Sequence, residues 1–438
     1  MDIASVTLLM AAAIFLLLVM GLPLAFVTAS VAVMTAILHF GPASLILVAS
    51  RTYSLVTEFA FVAVPMFIFM ASILERCGVA RDLFRAMHIF AGGLRGGLAI
   101  QTMLVAIVMA AMTGIIGGEI VLLGLLALPQ MLSHGYSKNL AIGTVCAGGS
   151  LGTMIPPSIV LVIYGLTANV SIGDLFIATV IPGLLLAGLY VGYILITCYL
   201  NPELGPPASD EERALPFTEK LLLLKGLALP ILVAAFVLGS IYAGIASVSE
   251  AAGVGVIGAL LSALLRGELG WTMVRDALRQ TMVACGMLLW LTFGANMLIG
   301  VYNLMGGTRF VQDLITGMPV APWLILAVMM LVLIVLGLFM DWIGILLLTM
   351  PIFVPAITAL GYDPVWFGVL FCMNMQISYL SPPFGPAAFY LKGVAPPEIS
   401  LTDIYRALWP FILLQILGLA LVFVMPGLAL WLPRLITG

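Results

Sequence analysis

The chain has 438 residues, 63% hydrophobic and 8% charged, with a net charge of −3 and a mean hydropathy of +1.25. So little polar surface cannot coat a water-soluble globule, and the near-neutral balance leaves no basic patch for nucleic acid. Apolar runs of about 20 residues, enough to cross roughly 30 Å of hydrocarbon, recur along the whole length, so the solvent is lipid.

In chain order, Met1-Asp2-Ile3-Ala4 places an acid where a secretory signal carries basic residues. Val6 to Met20 therefore reads as a retained first helix. Crossing helices are expected near residues 4–20, 23–40, 55–74, 140–166 and 176–200, and again near 226–243, 248–265, 281–303, 366–391 and 408–432. Two further apolar stretches, 97–130 and 322–357, are broken near their middles by Gly, Thr, Glu or Asp and read as re-entrant hairpins. Val79 to Ala91 sets Arg81, Asp82, Arg85 and His88 against Leu83, Phe84, Met87 and Phe90, a pattern for a helix lying in the interface. Arg309 to Ile315 matches it before the second hairpin. Asn201 to Lys220 is rich in prolines and acids and reads as a cytoplasmic linker.

The two halves repeat each other at an offset of 226 residues: Gly118, Pro129, Gly135, Tyr136, Pro156 and Pro157 recur as Gly344, Pro355, Gly361, Tyr362, Pro382 and Pro383. The expected fold is thus all-α and polytopic: a first repeat over 1–200, a linker over 201–225 and a second repeat over 226–438. Five crossings per repeat is an odd number, so the second repeat runs opposite to the first. Loop charge supports that count, because Lys and Arg concentrate in short cytoplasmic loops. Thirteen of the 16 basic residues fall on one side, and only Arg51, Arg309 and Arg434 on the other. Both termini then face outward, the first hairpin enters from the cytoplasm and the second from outside.

Inverted repeats with helices broken at matching places point to a secondary transporter. Unwound backbone at membrane depth needs a partner for its N–H and C=O groups, which an ion or an anionic solute can supply. Gly148, Gly149, Ser150, Gly152, Pro156 and Pro157 break the crossing near 140–166, and Pro382 and Pro383 break that near 366–391. Each hairpin tip carries one acid, Glu119 or Asp341, at a depth where a charge on insertion scales costs roughly 2.5 to 3.5 kcal/mol. The candidate sodium ligands are Thr113, Gly114, Glu119, Gly148, Gly149, Gly337, Asp341 and Asn374; the candidate solute-binding residues are Ser150, Thr153, Ser158, Asn374, Gln376, Ser378 and Ser381.

Cys77, Cys146, Cys198, Cys285 and Cys372 lack metal-type spacing and read as free thiols. Gly253, Gly255 and Gly258 suit close helix packing. Gly148-Gly149-Ser150-Leu151-Gly152 also satisfies the G-x-S-x-G pattern of serine hydrolases. A nucleophilic serine needs a base, however, and His39, His88 and His134 all lie in or near loops. A channel would need a filter ring or pore-lining stripe, and neither stands out.

The stretches GGSLGTMIPPSIVLVIYGLTANVSIGDLF and SPPFGPAAFYLKGVAP resemble the large membrane subunit of tripartite ATP-independent periplasmic (TRAP) transporters, the DctM-like family. The resemblance covers essentially the whole chain. It implies an elevator-type transporter in the bacterial inner membrane that uses a sodium gradient, pairs with a small four-helix membrane subunit and receives a small organic anion from a periplasmic solute-binding protein. It also implies that hairpin tips and broken helices hold sodium and solute, which carries over to Gly148, Gly149, Ser150 and Pro156, and to Asp341, Asn374, Ser381 and Pro382. A carboxylate transporter working without those partners is the alternative. The first tip departs from the serine-rich form of many relatives: Gly114 to Glu119 has no serine and gains an acid, which tilts the expected cargo from a C4-dicarboxylate towards a monocarboxylate.

Overall fold

A computed structural model describes residues 2–79, 82–83, 94–114, 116–207 and 225–437. Every regular element among the described residues is helical. In the first half, α1 (Ile3–Val19), α2 (Leu24–Phe40), α3 (Leu45–Val56) and α4 (Ala63–Arg76) precede a hairpin of α5 (Gly97–Thr113) and α6 (Gly118–Ser133). Then come α7 (Lys138–Ser150), α8 (Ile159–Ala168) and the long α9 (Ile172–Leu200). In the second half, α10 (Lys225–Tyr242), α11 (Val248–Leu265), α12 (Trp271–Leu304) and α13 (Gly307–Thr316) precede a hairpin of α14 (Pro322–Gly337) and α15 (Trp342–Ala359). It closes with α16 (Pro364–Leu380), α17 (Pro386–Lys392), α18 (Leu401–Val424) and α19 (Gly427–Thr437). Six of the described helices are long and apolar enough to cross a membrane.

The order of hairpin, broken helix and long helix occurs twice, and the repeated residues fold alike. Gly135 and Gly361 both take positive φ, 77° and 86°, where the second limb of each hairpin turns into the broken helix. The Pro156-Pro157 and Pro382-Pro383 bonds are both cis. Pro322, Pro364 and Pro386 open α14, α16 and α17, positions where a missing N–H costs nothing. The limbs of the first hairpin have 17 and 16 residues. At 1.5 Å per residue each is about 25 Å long, short of the roughly 30 Å core, as a re-entrant element requires.

Two layers result. On one side α12 packs along α2 and α4, with α11 against α4 and α10. Close approach is possible because Gly294 lies against the Ala25 carbonyl and Thr28, and Gly255 and Gly258 lie against Met70, Val237 and Val233; Gly253, by contrast, faces open space. On the other side lie the hairpins, the broken helices and α18, where Gly143 receives the Phe411 ring, and the larger buried core runs through them and on into α4, α10, α11 and α12. A smaller cluster of Val6, Met10, Ala32, Ala36 and Val301 joins α1, α2 and α12.

Several boundaries differ from those expected. Helix α3 is additional, because its polar Arg51, Thr52 and Ser54 hide it from a hydropathy reading. Helix α12 begins at Trp271 rather than 281, its first turns being amphipathic rather than apolar. The last crossing divides at Met425 and Pro426. Arg309 to Ile315 lies within α13 as expected. Of the proposed interfacial helix at 79–91, only Val79, Asp82 and Leu83 are described, with Asp82 paired to Arg266; the rest lies outside the described residues, as do 208–224 of the linker. Asn201 to Leu204 turns back onto the first hairpin, where Ser137 N–H donates to the Leu204 carbonyl at 2.9 Å and Gly96 N–H to that of Gly205 at 2.8 Å.

Candidate functional site

The first hairpin tip is built by glycine. Gly114 ends α5 at φ 63° and Gly117 opens α6 at φ 120°, so the chain reverses within a few residues while Glu119 enters the first turn of α6. Glu119 is fully buried, and the Thr113 hydroxyl donates to its Oε1. Its carboxylate fills the slot left by the missing side chain of Gly152: a Cβ there would stand 2.7 Å from Oε1 and 3.0 Å from Oε2. Gly149 meets the start of the same helix: a side chain there would begin 3.1 Å from the Ile120 nitrogen. The tip is tied to the break by Ile159 N–H donating to the Gly114 carbonyl at 3.3 Å. The break braces itself through Ser158 Oγ, which donates to the Thr153 carbonyl at 2.7 Å. Gly148 plays a different part, admitting Ala106 of α5, whose methyl group lies 2.9 Å from where a Gly148 side chain would begin.

The second tip is shaped differently, with none of its described residues at positive φ and with its acid one step outside the helix. Asp341 is the N-cap residue of α15, at the positive end of the helix dipole. Gly337 lies directly against the Ser378 hydroxyl. Asn374, fully buried, donates from Nδ2 to the Met330 carbonyl at 2.8 Å, and Ser381 Oγ donates to the Ile377 carbonyl at 2.7 Å. Between the halves, Gln376 Nε2 donates to Thr153 Oγ1 at 2.6 Å, joining the two broken helices directly. Four buried side-chain oxygens in this region, Glu119 Oε2, Asn374 Oδ1, Gln376 Oε1 and the Tyr379 hydroxyl, have no hydrogen-bond partner among the described residues. Buried acceptors without donors are uncommon and costly in folded proteins. Ser150 points elsewhere, donating to the Ala147 carbonyl at 2.8 Å.

Both tips border one cavity of about 480 Å³. Ile116 of the first tip and Asp341 and Trp342 of the second line it, together with Tyr379, Phe384 and Tyr390 around the second break. Its far wall comes from Leu18, Leu24, Ile68, Leu288 and Leu291 on α1, α2, α4 and α12. Tyr390 connects the two tips, its ring lying 3.2 Å from where a Gly117 side chain would begin. Of the solute-binding residues expected from sequence, none lines this cavity; Ser378 borders a small adjoining pocket with Gly337 and Asp341. Of the aromatic residues that escaped the sequence reading, three stand beside a flagged position: Trp342 follows Asp341, Tyr379 follows Ser378 and Phe384 follows Pro383. Glu75 was also missed. It belongs to α4, yet its carboxyl carbon lies 2.9 Å from where a Gly118 side chain would begin.

The comparison with known families decides the class. Residues 11–428 match the family described as tripartite ATP-independent periplasmic transporter, DctM component. The chain belongs to the DctM family of TRAP transporter large permeases. Similar curated proteins include the C4-dicarboxylate TRAP transporter large permease protein DctM of Vibrio cholerae, 29% identical over 96% of both chains. The protein of the same description from Pseudomonas aeruginosa is 30% identical over 91% of this chain and 92% of its own length. The ectoine TRAP transporter large permease protein TeaC of Halomonas elongata is 30% identical over 85% of this chain and 86% of its own. Among solved structures, the YdaH transporter of Alcanivorax borkumensis superposes with a TM-score of 0.65 at 16% identity, covering 93% of this chain and 98% of its own, which is a likeness of fold. As a DctM-family permease the chain is a multi-pass transporter and not an enzyme.

Proposed function

We propose that this permease is the large subunit of a three-part uptake system in the bacterial inner membrane, driven by sodium and moving a small organic anion by an elevator motion. The observation that carries this reading is a run of contacts from the first hairpin tip through both helix breaks, Thr113 to Glu119, Glu119 against Gly152 and Gln376 to Thr153, along which Glu119 Oε2 and Gln376 Oε1 have no donor among the described residues. Sodium takes hard oxygen ligands, and the set present fits it: carboxylates at Glu119 and Asp341, amide oxygens at Asn374 and Gln376, and the hydroxyl and carbonyl oxygens of Thr113, Gly114 and Thr153. A small membrane subunit and a periplasmic solute-binding protein are the partners expected of a tripartite family.

The elevator reading rests on where the space lies. The cavity at the tips is closed on its far side by α2, α4 and α12, on the flank of the α1–α2 turn that loop charge assigns to the cytoplasm. At the opposite end, two polar cavities of about 300 and 580 Å³, both lined by Asn296, separate the same layers beside Thr167 and Asn169. Space on both flanks of one interface suits a unit that slides between two positions. Asp341 supplies the coupling, because its carboxylate without a cation would oppose passage through hydrocarbon. Asp341→Asn is expected to lower sodium-driven uptake of organic anions into proteoliposomes at least about tenfold, with membrane insertion unchanged. Uptake at the parent rate would remove Asp341 from the mechanism.

A further inference from the structure

The cavity at the tips is chemically lopsided. Its polar side chains, Asp341, the Trp342 indole N–H and the tyrosines Tyr379 and Tyr390, all belong to the second hairpin and the second broken helix. The wall facing them, including Leu24, Met287, Leu288 and Leu291, offers no hydrogen-bond donor from its side chains, and among the described residues lining the cavity none is Lys, Arg or His. Pockets of this size hold small solutes and orient them by a few polar groups on an apolar surface.

A dicarboxylate spanning this space would set its second carboxylate against leucine side chains with no donor, which is prohibitive for an ionised group. A solute with one polar end meets no such obstacle. Its carboxylate would lie beside Asp341 at the positive end of α15, where two neighbouring negative charges require a shared cation. Its tail would meet the leucines.

Resting on the sodium-driven anion reading above, we infer that the solute is a monocarboxylate with a compact apolar tail, its head at Asp341 and Tyr379 and its tail against Leu288 and Leu291. Sodium is then needed for binding itself, not only for movement. The tail wall also sets selectivity, since Leu288 and Leu291 belong to α12, on the other side of the interface from the tips.

Calorimetry on the permease assembled with its small membrane subunit in lipid nanodiscs tests this, with α-ketoisocaproate, pyruvate, succinate and glycine betaine as probes in sodium chloride and in potassium chloride. α-Ketoisocaproate is expected to bind about tenfold more tightly than succinate, and only in sodium. Leu291→Gln is expected to weaken α-ketoisocaproate about fivefold while changing pyruvate, which keeps the head and has only a methyl tail, by less than about twofold. Equal losses for both acids would mean a general disturbance and overturn the tail assignment. Tighter, sodium-dependent binding of succinate would overturn the solute class while leaving the anion reading intact. Binding of glycine betaine alone, without need of sodium, would overturn both. Failure of α-ketoisocaproate to bind up to about 10 mM would also overturn the inference.

Discussion

A methyl group added at Gly152 would begin 2.7 Å from a carboxylate oxygen of Glu119, a distance at which something must give. Glu119 cannot easily swing aside: it is fully buried, and the Thr113 hydroxyl donates to Oε1, the same oxygen that the added methyl group would crowd. Gly152→Ala is therefore expected to cost about 1 to 3 kcal/mol through overpacking and to lower sodium-stimulated uptake at least about tenfold. The double variant with Glu119→Asp, which draws the carboxyl back by one methylene, should recover part of the loss in thermal melting. Parent-like melting and uptake for Gly152→Ala alone would show that the carboxylate does not sit in that slot. Sequence marks Glu119 and Asp341 as acids in apolar surroundings and marks the glycine-rich break, so the ingredients are legible one by one. Their contacts are not. Gly148 and Gly152 look equivalent in GGSLG, yet one admits a helix and the other a carboxylate, a choice made by which neighbour folds against each.

Helix breaks were the most legible feature, because proline and glycine act through local sterics that need no tertiary partner. The positions of both hairpin tips and both Pro-Pro breaks follow from sequence to within a few residues. Elements at the edge of the bilayer were harder. The start of α12 and all of α3 mix polar with apolar residues, so neither hydropathy nor length distinguishes them from loops. The pairing of elements is a further step, and Gln376 with Thr153 illustrates it. These residues lie in different halves of the chain, and their 2.6 Å hydrogen bond makes the two breaks one unit. Gln376→Leu and Thr153→Val should each destabilise by about 1 kcal/mol, and a double-mutant cycle should return a coupling of about 0.5 to 1.5 kcal/mol. A coupling indistinguishable from zero would mean that the breaks act independently and that each tip responds to its own ion alone.

For the whole molecule, the decisive question is whether the hairpin layer moves past the α2, α4 and α12 layer. One contact reports on it directly. Gly344, near the start of α15, packs against the end of the Leu24 side chain on α2, with Leu24 Cγ 3.9 Å from where a Gly344 side chain would begin. Both residues line the cavity at the tips, so a small reagent that enters the cavity reaches them. Cysteines at these two positions relieve the crowding, because replacing Leu24 removes the methyl group that meets Gly344. Cys77, Cys146, Cys198 and Cys372 are buried, which leaves Cys285 as the native thiol to replace by serine. In an elevator the layers slide by more than a side-chain length, so a short bridge between positions 24 and 344 holds the permease in this one arrangement. Leu24→Cys with Gly344→Cys is therefore expected to transport before treatment, to lose uptake when bridged by a short bifunctional methanethiosulfonate, and to regain it on reduction. Each single-cysteine variant should keep most of its uptake under the same treatment. If the bridged protein transports at the unbridged rate, α2 and α15 stay together through the cycle, and exchange between the two flanks must come from opening of the hairpin tips in place.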